Sequence, residues 1–217
     1  MVKNTLCVLA VAMASNSVLA ADSHWYVGVD VLNTQVDHKN TISGDVVDLS
    51  GVTVPARTHY SDMSKETGFG LNVGTQILLK NQFAVGVEAE YLSFGSFSST
   101  IKMTNPSTGV VYDIEDEKTE MKVTAFNLNI KPKYYFKGNR FYLGAIAGVG
   151  NYKVDIQNQG DGRDWGFSYG IEAGYEITPE LGASVGYRSF ITDIGYIGDE
   201  SIELELDSFY VGLDYKF

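Results

Sequence analysis

Charged side chains recur at every second position within several apolar stretches. Of all the residues in the chain, these have the types and spacing best suited to forming ion pairs in an enclosed site. Glu88 and Glu90 alternate with apolar neighbours in one stretch, and Lys131 and Lys133 do so in another. Residues two apart share one face of an extended strand. If several such faces enclose a space, its ionised groups must pair, because an unpaired buried charge costs several kcal/mol. The sequence therefore predicts an internal ion network with the members Glu88, Lys131, Glu172 and Arg188.

This network has two interpretations. In the first, it is a structural plug that fills and stiffens the interior of the protein. In the second, it is a gate whose ion pairs exchange partners to open a narrow pore. In both, we expect Glu172 to lie opposite Arg188 and to form an ion pair with it.

The histidines give little support for an active site. The chain has three, His24, His38 and His59, and the last is followed by Ser61 and Asp62. A histidine with a serine and a carboxylate can activate a nucleophile, but such combinations also arise by chance in polar segments. The sequence has no Cys/His cluster that could bind a metal. We therefore predict a protein that is not an enzyme and has no catalytic residue, metal or cofactor.

The elements that must position the charged residues are β-strands. Eight stretches alternate apolar residues with small or polar ones, which is the pattern of a strand with one apolar face. This pattern predicts an all-β fold, an eight-stranded antiparallel up-and-down transmembrane β-barrel. We expect its strands at about 25–36, 67–79, 83–97, 120–136, 141–154, 163–177, 181–191 and 202–217.

The connections between these strands alternate in length. Tight turns are expected at 80–82, 137–140 and 178–180, and longer segments near 37–66, 98–119, 155–162 and 192–201. Short periplasmic turns and longer extracellular loops are typical of outer-membrane barrels. The first long segment is apolar enough to add a hairpin or an adhesive surface. Inward faces agree across each tight turn if the pairs are Glu88 with Gly74, Lys131 with Ile146, and Glu172 with Arg188.

A second inward group is apolar and lies toward the extracellular ends of the strands. In the last strand, the apolar residues change parity near Ser208, either because the strand leaves the lipid or because of a bulge. We interpret the inward group as a small core that seals the mouth, or alternatively as a pocket for a small hydrophobic compound. Its predicted members are Leu92, Phe94, Met121, Val123, Phe190, Leu204 and Leu206.

The amino terminus predicts export. Lys3 precedes an apolar run from Thr5 to Ala14, which is too short for a membrane-spanning helix. We place signal-peptide cleavage after Ala20. Residues 1–20 are then a cleaved signal peptide and residues 21–217 form one barrel domain. Because the only cysteine, Cys7, lies in the signal, we expect no disulfide in the exported domain.

The charge balance limits the partners. The chain has 27 acidic and 16 basic residues and a net charge of −11. This balance argues against nucleic acid as a partner, because binding to a phosphate backbone requires a basic face. Outward carboxylates such as Glu203 and Glu205 are either simply solvated or share divalent cations with the phosphates of lipopolysaccharide.

Taken together, these features resemble the small outer-membrane β-barrels of the OmpA, OmpX and opacity-protein type, with the OmpW type as second choice. The resemblance rests on the export signal, the eight strands, the alternating connections and the terminal Tyr215-Lys216-Phe217. In that group, Tyr215 and Phe217 are similar to the signal that the barrel-assembly machinery reads. The resemblance implies an outer-membrane location, contact with lipid and lipopolysaccharide, and a monomer.

The same resemblance implies a function. It points to a non-enzymatic protein with a structural or adhesin-like role, acting through its extracellular loops on a ligand of a host or environmental surface. The alternative is a narrow channel or a binder of a small hydrophobic solute.

Overall fold

The computed structural model of the chain describes residues 23–37, 41–47, 53–61, 65–104, 111–113, 119–156, 160–195 and 201–217. The predicted signal peptide and cleavage point lie outside these residues. Within the described part, no helix is long and apolar enough to cross a membrane.

The described chain is almost entirely β-strand. In chain order the strands are β1 (Ser23–Asp37), β2 (Thr41–Val47), β3 (Thr53–Ser61), β4 (Glu66–Leu78), β5 (Phe83–Thr104), β6 (Val111–Asp113), β7 (Thr119–Tyr135), β8 (Phe141–Ile156), β9 (Gly160–Glu176), β10 (Leu181–Gly195) and β11 (Ser201–Lys216).

Eight of these strands form a closed antiparallel barrel, as predicted. The order around the barrel is β1, β4, β5, β7, β8, β9, β10 and β11, and β11 pairs with β1 to close the sheet. Closure gives every strand two neighbours, so the backbone groups are hydrogen-bonded within the sheet, as the interior of a lipid bilayer requires. The predicted all-β barrel class is confirmed.

The other three strands extend the barrel at its extracellular end. β2 and β3 form a hairpin in the first long connection, and β3 also pairs with the far end of β5, from Thr100 to Thr104. β6 pairs with the same part of β5. A small second sheet therefore rises from β5, beyond the part of the strand that belongs to the barrel.

Two of the three predicted hairpin registers are confirmed. Gly74 pairs with Glu88 across β4 and β5, and Lys133 pairs with Gly144 across β7 and β8, which is the register predicted there. The third is wrong. Arg188 pairs with Gly170 and not with Glu172, so the register of β9 and β10 is shifted by two residues from the predicted one.

The error in the third hairpin has a local cause. Thr178 accepts hydrogen bonds through Oγ1 from the backbone N–H groups of Glu180 and Leu181, at 3.2 and 3.0 Å. Its own N–H donates to the Leu181 carbonyl oxygen at 3.1 Å. These bonds centre the turn on Pro179. A shift of two residues keeps every side chain on its predicted face.

The parity change in β11 is not a bulge. Its pairing with β10 is continuous from Ser201 to Tyr215, and Leu204, Leu206, Ser208 and Tyr210 are all buried inside the barrel. The strand itself stays regular, and only the apolar residues change from the outer to the inner face. This agrees with a strand that leaves the lipid near Ser208.

A bulge does occur in β5. The pairing of β5 with β7 shifts between Ser93 and Ser96, and Gly95 has a φ of 94°, which residues with a Cβ rarely adopt. Because one extra residue is accommodated there, Phe94 and Phe97 are both buried inside the barrel although they are three positions apart.

Candidate functional site

The middle of the barrel lumen contains a buried ion network. Arg188 of β10 contacts Glu90 of β5 through Nη1, at 2.7 and 2.8 Å from the two carboxylate oxygens. Both side chains are at most 1% exposed. Their ion pair therefore spans the lumen between strands that are not neighbours in the sheet.

A second set of ion pairs lies next to the first. Lys131 Nζ is 3.3 Å from Glu88 Oε2 and 3.1 Å from Glu172 Oε2. Lys133 Nζ is 3.2 Å from Glu172 Oε1. Glu172 thus binds two lysines of β7, and its expected pairing with Arg188 is wrong.

Neutral side chains join the two sets into one network. Asn129 Nδ2 donates to Glu88 Oε1 at 3.1 Å and to Glu90 Oε2 at 2.8 Å. Two tyrosines at the periphery also donate, Tyr26 to Glu88 at 3.0 Å and Tyr210 to Glu172 at 2.8 Å. The carboxylates therefore bind neutral donors as well as cations, which offsets part of the cost of their burial.

The sequence provides room for these long side chains by placing glycines opposite them. Gly170 is the register partner of Arg188, and a Cβ there would lie 2.9 Å from Arg188 Cγ. Gly144 is the partner of Glu172, and a Cβ there would lie 3.0 Å from Glu172 Cγ. The glycines of the inward face thus make space for the ion pairs.

The structure places all four predicted network residues, Glu88, Lys131, Glu172 and Arg188, in this network. It adds Glu90, Lys133 and Asn129 as members, so three carboxylates face three cations. Inward parity already places Glu90 on the same face as Glu88, and Lys133 and Asn129 on the same face as Lys131. Their partners could not be deduced, because the contacts cross the lumen.

Above the network, an apolar cluster fills the extracellular half of the lumen. The Phe94 and Phe190 rings meet edge to face, with centroids 4.9 Å apart, and the Tyr152 ring is 6.4 Å from Phe190. The seven predicted residues are all in it, Met121 being only partly buried. The cluster further contains Leu32, Val36, Phe97, Ala125, Ile146, Tyr152, Val154 and Tyr210.

The lumen is open at the opposite, periplasmic end. A cavity of about 830 Å³ lies there, lined by His24, Gln76 and Arg140 among others. Inside it Tyr135 donates to Glu176 at 2.9 Å, and Glu176 also forms an ion pair with Lys216. This cavity lies at the end of the barrel opposite to the extracellular mouth, where the sequence predicted a possible pocket.

The remaining predicted residues are dispersed. Tyr215 and Phe217 are exposed at the periplasmic end, where the Phe217 N–H donates to the Trp25 carbonyl oxygen at 3.0 Å. His38, Asp62 and the side chains of His59, Ser61 and Glu203 lie outside the described residues. In the described part of the chain, no group of three His, Cys, Asp or Glu residues is placed to bind a metal.

Comparisons with known proteins agree with this architecture. A family model described as outer membrane protein beta-barrel domain matches residues 5–217. Neisserial surface protein A is 13% identical, with a TM-score of 0.50, and the match covers 90% of this chain and 99% of that one. OprG from Pseudomonas aeruginosa is 14% identical, with a TM-score of 0.52 and coverage of 89% and 96%. These two likenesses show the fold alone. No curated protein matches the sequence.

Proposed function

Because the chain belongs to the outer membrane protein β-barrel family, we propose that it is a non-enzymatic surface protein with a structural or adhesin-like role. Membership of this family places the chain in the outer membrane. Its proposed site of action is the extracellular loops, and its proposed partner there is a ligand on a host or environmental surface. Within the membrane the proposed partners are lipopolysaccharide and, during biogenesis, the barrel-assembly machinery, with a monomer as the working form.

The observation that carries this proposal is the blocked lumen below an extended extracellular sheet. The ion network and the apolar cluster are stacked in the lumen, and Glu90, Leu92, Phe94 and Phe190 are fully buried. By contrast, β2, β3 and β6 continue the sheet outward from β5. Loops held by a rigid scaffold are common sites of recognition.

A loop exchange tests this proposal. Replacing residues 38–64 with a short turn removes the β2–β3 hairpin, whose residues are not part of the eight-stranded barrel. We expect the barrel to fold normally and bacteria that express it to lose attachment to surfaces coated with host matrix proteins. The matched control lengthens the periplasmic turn at 137–140, which should leave attachment unchanged. Equal attachment by all three proteins would contradict the loop role.

A second candidate function is a narrow channel or a binder of a small hydrophobic solute. One observation favours it: Arg188 Nε and Nη2 have no hydrogen-bond partner within the described residues, although both are buried. An arginine with free donors can change partners and open the network. The periplasmic cavity also provides space for a solute.

Single-channel recordings in planar bilayers separate the two candidates. A channel gives resolved conductance that rises in the Arg188→Ala variant, because the side chain that blocks the lumen is removed. A purely structural barrel stays silent in both forms. The Arg140→Ala variant is the control, because Arg140 lies at the open periplasmic mouth and outside the network.

A further inference from the structure

The buried charged side chains of the lumen include more acidic than basic groups. Within the described residues, the carboxylates are Asp30, Glu88, Glu90, Glu172 and Asp214, and the cations are Lys131, Lys133 and Arg188. If all of them are ionised, two negative charges have no counter-charge. A buried charge that is not compensated costs several kcal/mol. The lumen therefore requires either protons on two carboxylates or a bound cation.

The two excess charges belong to Asp30 and Asp214. In the described part of the lumen, the three cations form ion pairs with Glu88, Glu90 and Glu172, and neither aspartate takes part. The free Nε and Nη2 atoms of Arg188 do not bind Asp30, because both are without a hydrogen-bond partner there. Asp30 is 5% exposed and Asp214 is 8% exposed. Both carboxylates are thus buried without an ion-pair partner.

Four oxygen-bearing side chains meet in this region and are here called the oxygen cluster. Its members are Asp30, Asn72, Ser184 and Asp214, all of them buried. Gly28 of β1 pairs in register with Asn72 on one side and with Asp214 on the other. Gly212 of β11 pairs in the same way with Asp30 and Ser184. The cluster therefore occupies two successive inward rows across β4, β1, β11 and β10.

The two glycines allow these oxygens to come close together. A Cβ on Gly28 would collide with Asp214 Oδ1 and, at 2.5 Å, with Asn72 Oδ1. A Cβ on Gly212 would collide with Asp30 Oδ1 and would lie 2.8 Å from Ser184 Oγ. Each pair of oxygens thus borders one small space in front of a glycine.

The amide of Asn72 turns its oxygen toward another acceptor. Its Nδ2 donates to Asp30 Oδ2 at 3.3 Å. Its Oδ1 has no hydrogen-bond partner within the described residues, although the side chain is only 6% exposed. This Oδ1 borders the same space as Asp214 Oδ1, and neither atom can donate to the other when Asp214 is ionised. Turning the amide over would only transfer the conflict to Asp30. A cation between the two oxygens binds both of them.

We propose that Asp30, Asn72 and Asp214 bind one divalent cation, Ca²⁺ or Mg²⁺, inside the lumen, with Ser184 Oγ as a further ligand. Carboxylate and amide oxygens are ligands that these ions prefer, and water completes the coordination. The two positive charges of the ion balance the two excess carboxylates. The sequence predicted no metal because it has no Cys/His cluster, whereas this site uses oxygen ligands and only two carboxylates.

The oxygen cluster can be reached from the periplasm. Lys216, the next inward residue of β11 after Asp214, lines the periplasmic cavity. An ion that enters from this side does not have to cross the apolar cluster in the extracellular half of the lumen. Lys131 and Lys133 do not take the place of the ion, because their Nζ atoms contact Glu88 and Glu172. The proposed site is also independent of what the loops bind.

The test measures cation binding by the folded barrel in a zwitterionic detergent without lipopolysaccharide. The Asp30→Asn/Asp214→Asn variant removes both carboxylates of the cluster and keeps their shape. The matched control is Asp155→Asn/Asp161→Asn, since these two carboxylates are also register partners but lie exposed outside the barrel. Each protein is stripped with chelator and then titrated separately with Ca²⁺ and Mg²⁺. Isothermal titration calorimetry counts the bound ions, and circular dichroism gives the unfolding temperature.

We expect the wild type and the control to bind one ion per barrel and to unfold at a higher temperature when it is bound. The cluster variant should bind at least about tenfold more weakly, because ligand charge sets the affinity of such sites. Asn72→Asp adds a third carboxylate and should show a larger rise in unfolding temperature than the wild type. If the wild type binds neither ion, protons neutralise the aspartates and the proposal is overturned, whether or not the variants fold. Equal binding by the wild type and the cluster variant would also overturn it.

Discussion

Arg188 is the largest fully buried side chain in the described part of the barrel. Its positive charge is compensated by an ion pair with Glu90. Both side chains are buried, so the loss of one leaves the other as a buried charge without an ion-pair partner. The replacement of both by apolar residues leaves no such charge. Buried ion pairs therefore respond very differently to single and double substitution.

From this we predict the behaviour of three variants. Arg188→Met should lower the free energy of unfolding by about 3–5 kcal/mol, and Glu90→Met should have a similar effect. The double variant should be more stable than either single variant. Urea unfolding of the barrel in phosphatidylcholine vesicles measures all three. The exposed Arg163→Met is the control and should change stability by less than about 0.5 kcal/mol under the same conditions. An additive double variant would mean that the two side chains do not interact.

The apolar cluster leads to a second prediction at the level of single residues. Phe190 is fully buried between Phe94 and Tyr152, whereas Phe167 on β9 faces the lipid and is 67% exposed. Phe190→Ala leaves a cavity and should cost about 3–5 kcal/mol of unfolding free energy. Phe167→Ala should cost much less, because lipid chains replace the ring. Similar losses in vesicle-based urea unfolding would argue against a packed upper lumen.

At the scale of the strands, the bulge of β5 determines which aromatic residues reach the apolar cluster. Without the extra residue near Gly95, Phe97 would face outward while Phe94 faced inward, because successive side chains alternate. A Cβ on Gly95 would lie 3.1 Å from Glu66 Cβ and 3.1 Å from the Thr67 carbonyl oxygen. The bulge thus requires glycine both for its φ and for its closeness to β4.

Gly95→Ala should therefore destabilise the barrel by about 1–2 kcal/mol, the cost of a left-handed backbone for a residue with a Cβ. Gly182→Ala in β10 is the matched control, since its Cβ would meet only Glu176 Oε2, at 3.7 Å. We expect that change to be close to neutral in thermal unfolding. If the two variants unfold at the same temperature, the bulge does not depend on the backbone conformation of Gly95.

The faces of the strands could be predicted from the sequence because the period of two directly separates lipid from lumen. The register of β9 and β10 could not, because Thr178 Oγ1 centres the turn through bonds that residue types alone do not specify. The bulge of β5 was also missed, and Phe97 with it. Leu32 and Val36 could have been found, because they lie on the same inward parity as Asp30.

The partners within the ion network could not be predicted either. Arg188 and Glu90 are 98 positions apart and lie on strands that do not touch in the sheet. Which inward residues meet depends on the tilt of the strands and the width of the barrel, which set how side chains cross the lumen. Parity gives the members of the network, but only the closed barrel gives its pairs.

At the scale of the whole molecule, the orientation in the membrane can be measured directly. We predict that a membrane-impermeant maleimide added to intact cells labels a Lys65→Cys variant and does not label a Lys137→Cys variant. Lys65 precedes β4 at the extracellular end, whereas Lys137 lies in a periplasmic turn, and both are exposed. Permeabilised cells should show labelling of both, which controls for reactivity. Labelling of the Lys137→Cys variant alone in intact cells would mean that the barrel has the opposite orientation in the membrane.

The pairing of β1 with β11 runs from Tyr26–Lys216 to Asp37–Glu205. Of the barrel strands, β1 is synthesised first and β11 last, so β1 can pair with β11 only after the whole barrel sequence has been made. Until then each chain has two edge strands with unpaired backbone groups, which can pair with other copies of the protein. Cells that make this protein must therefore prevent its copies from associating while they cross the periplasm. In a copy truncated before β11, the edges of β1 and β10 would stay unpaired. Such a copy would be a substrate for degradation rather than for insertion.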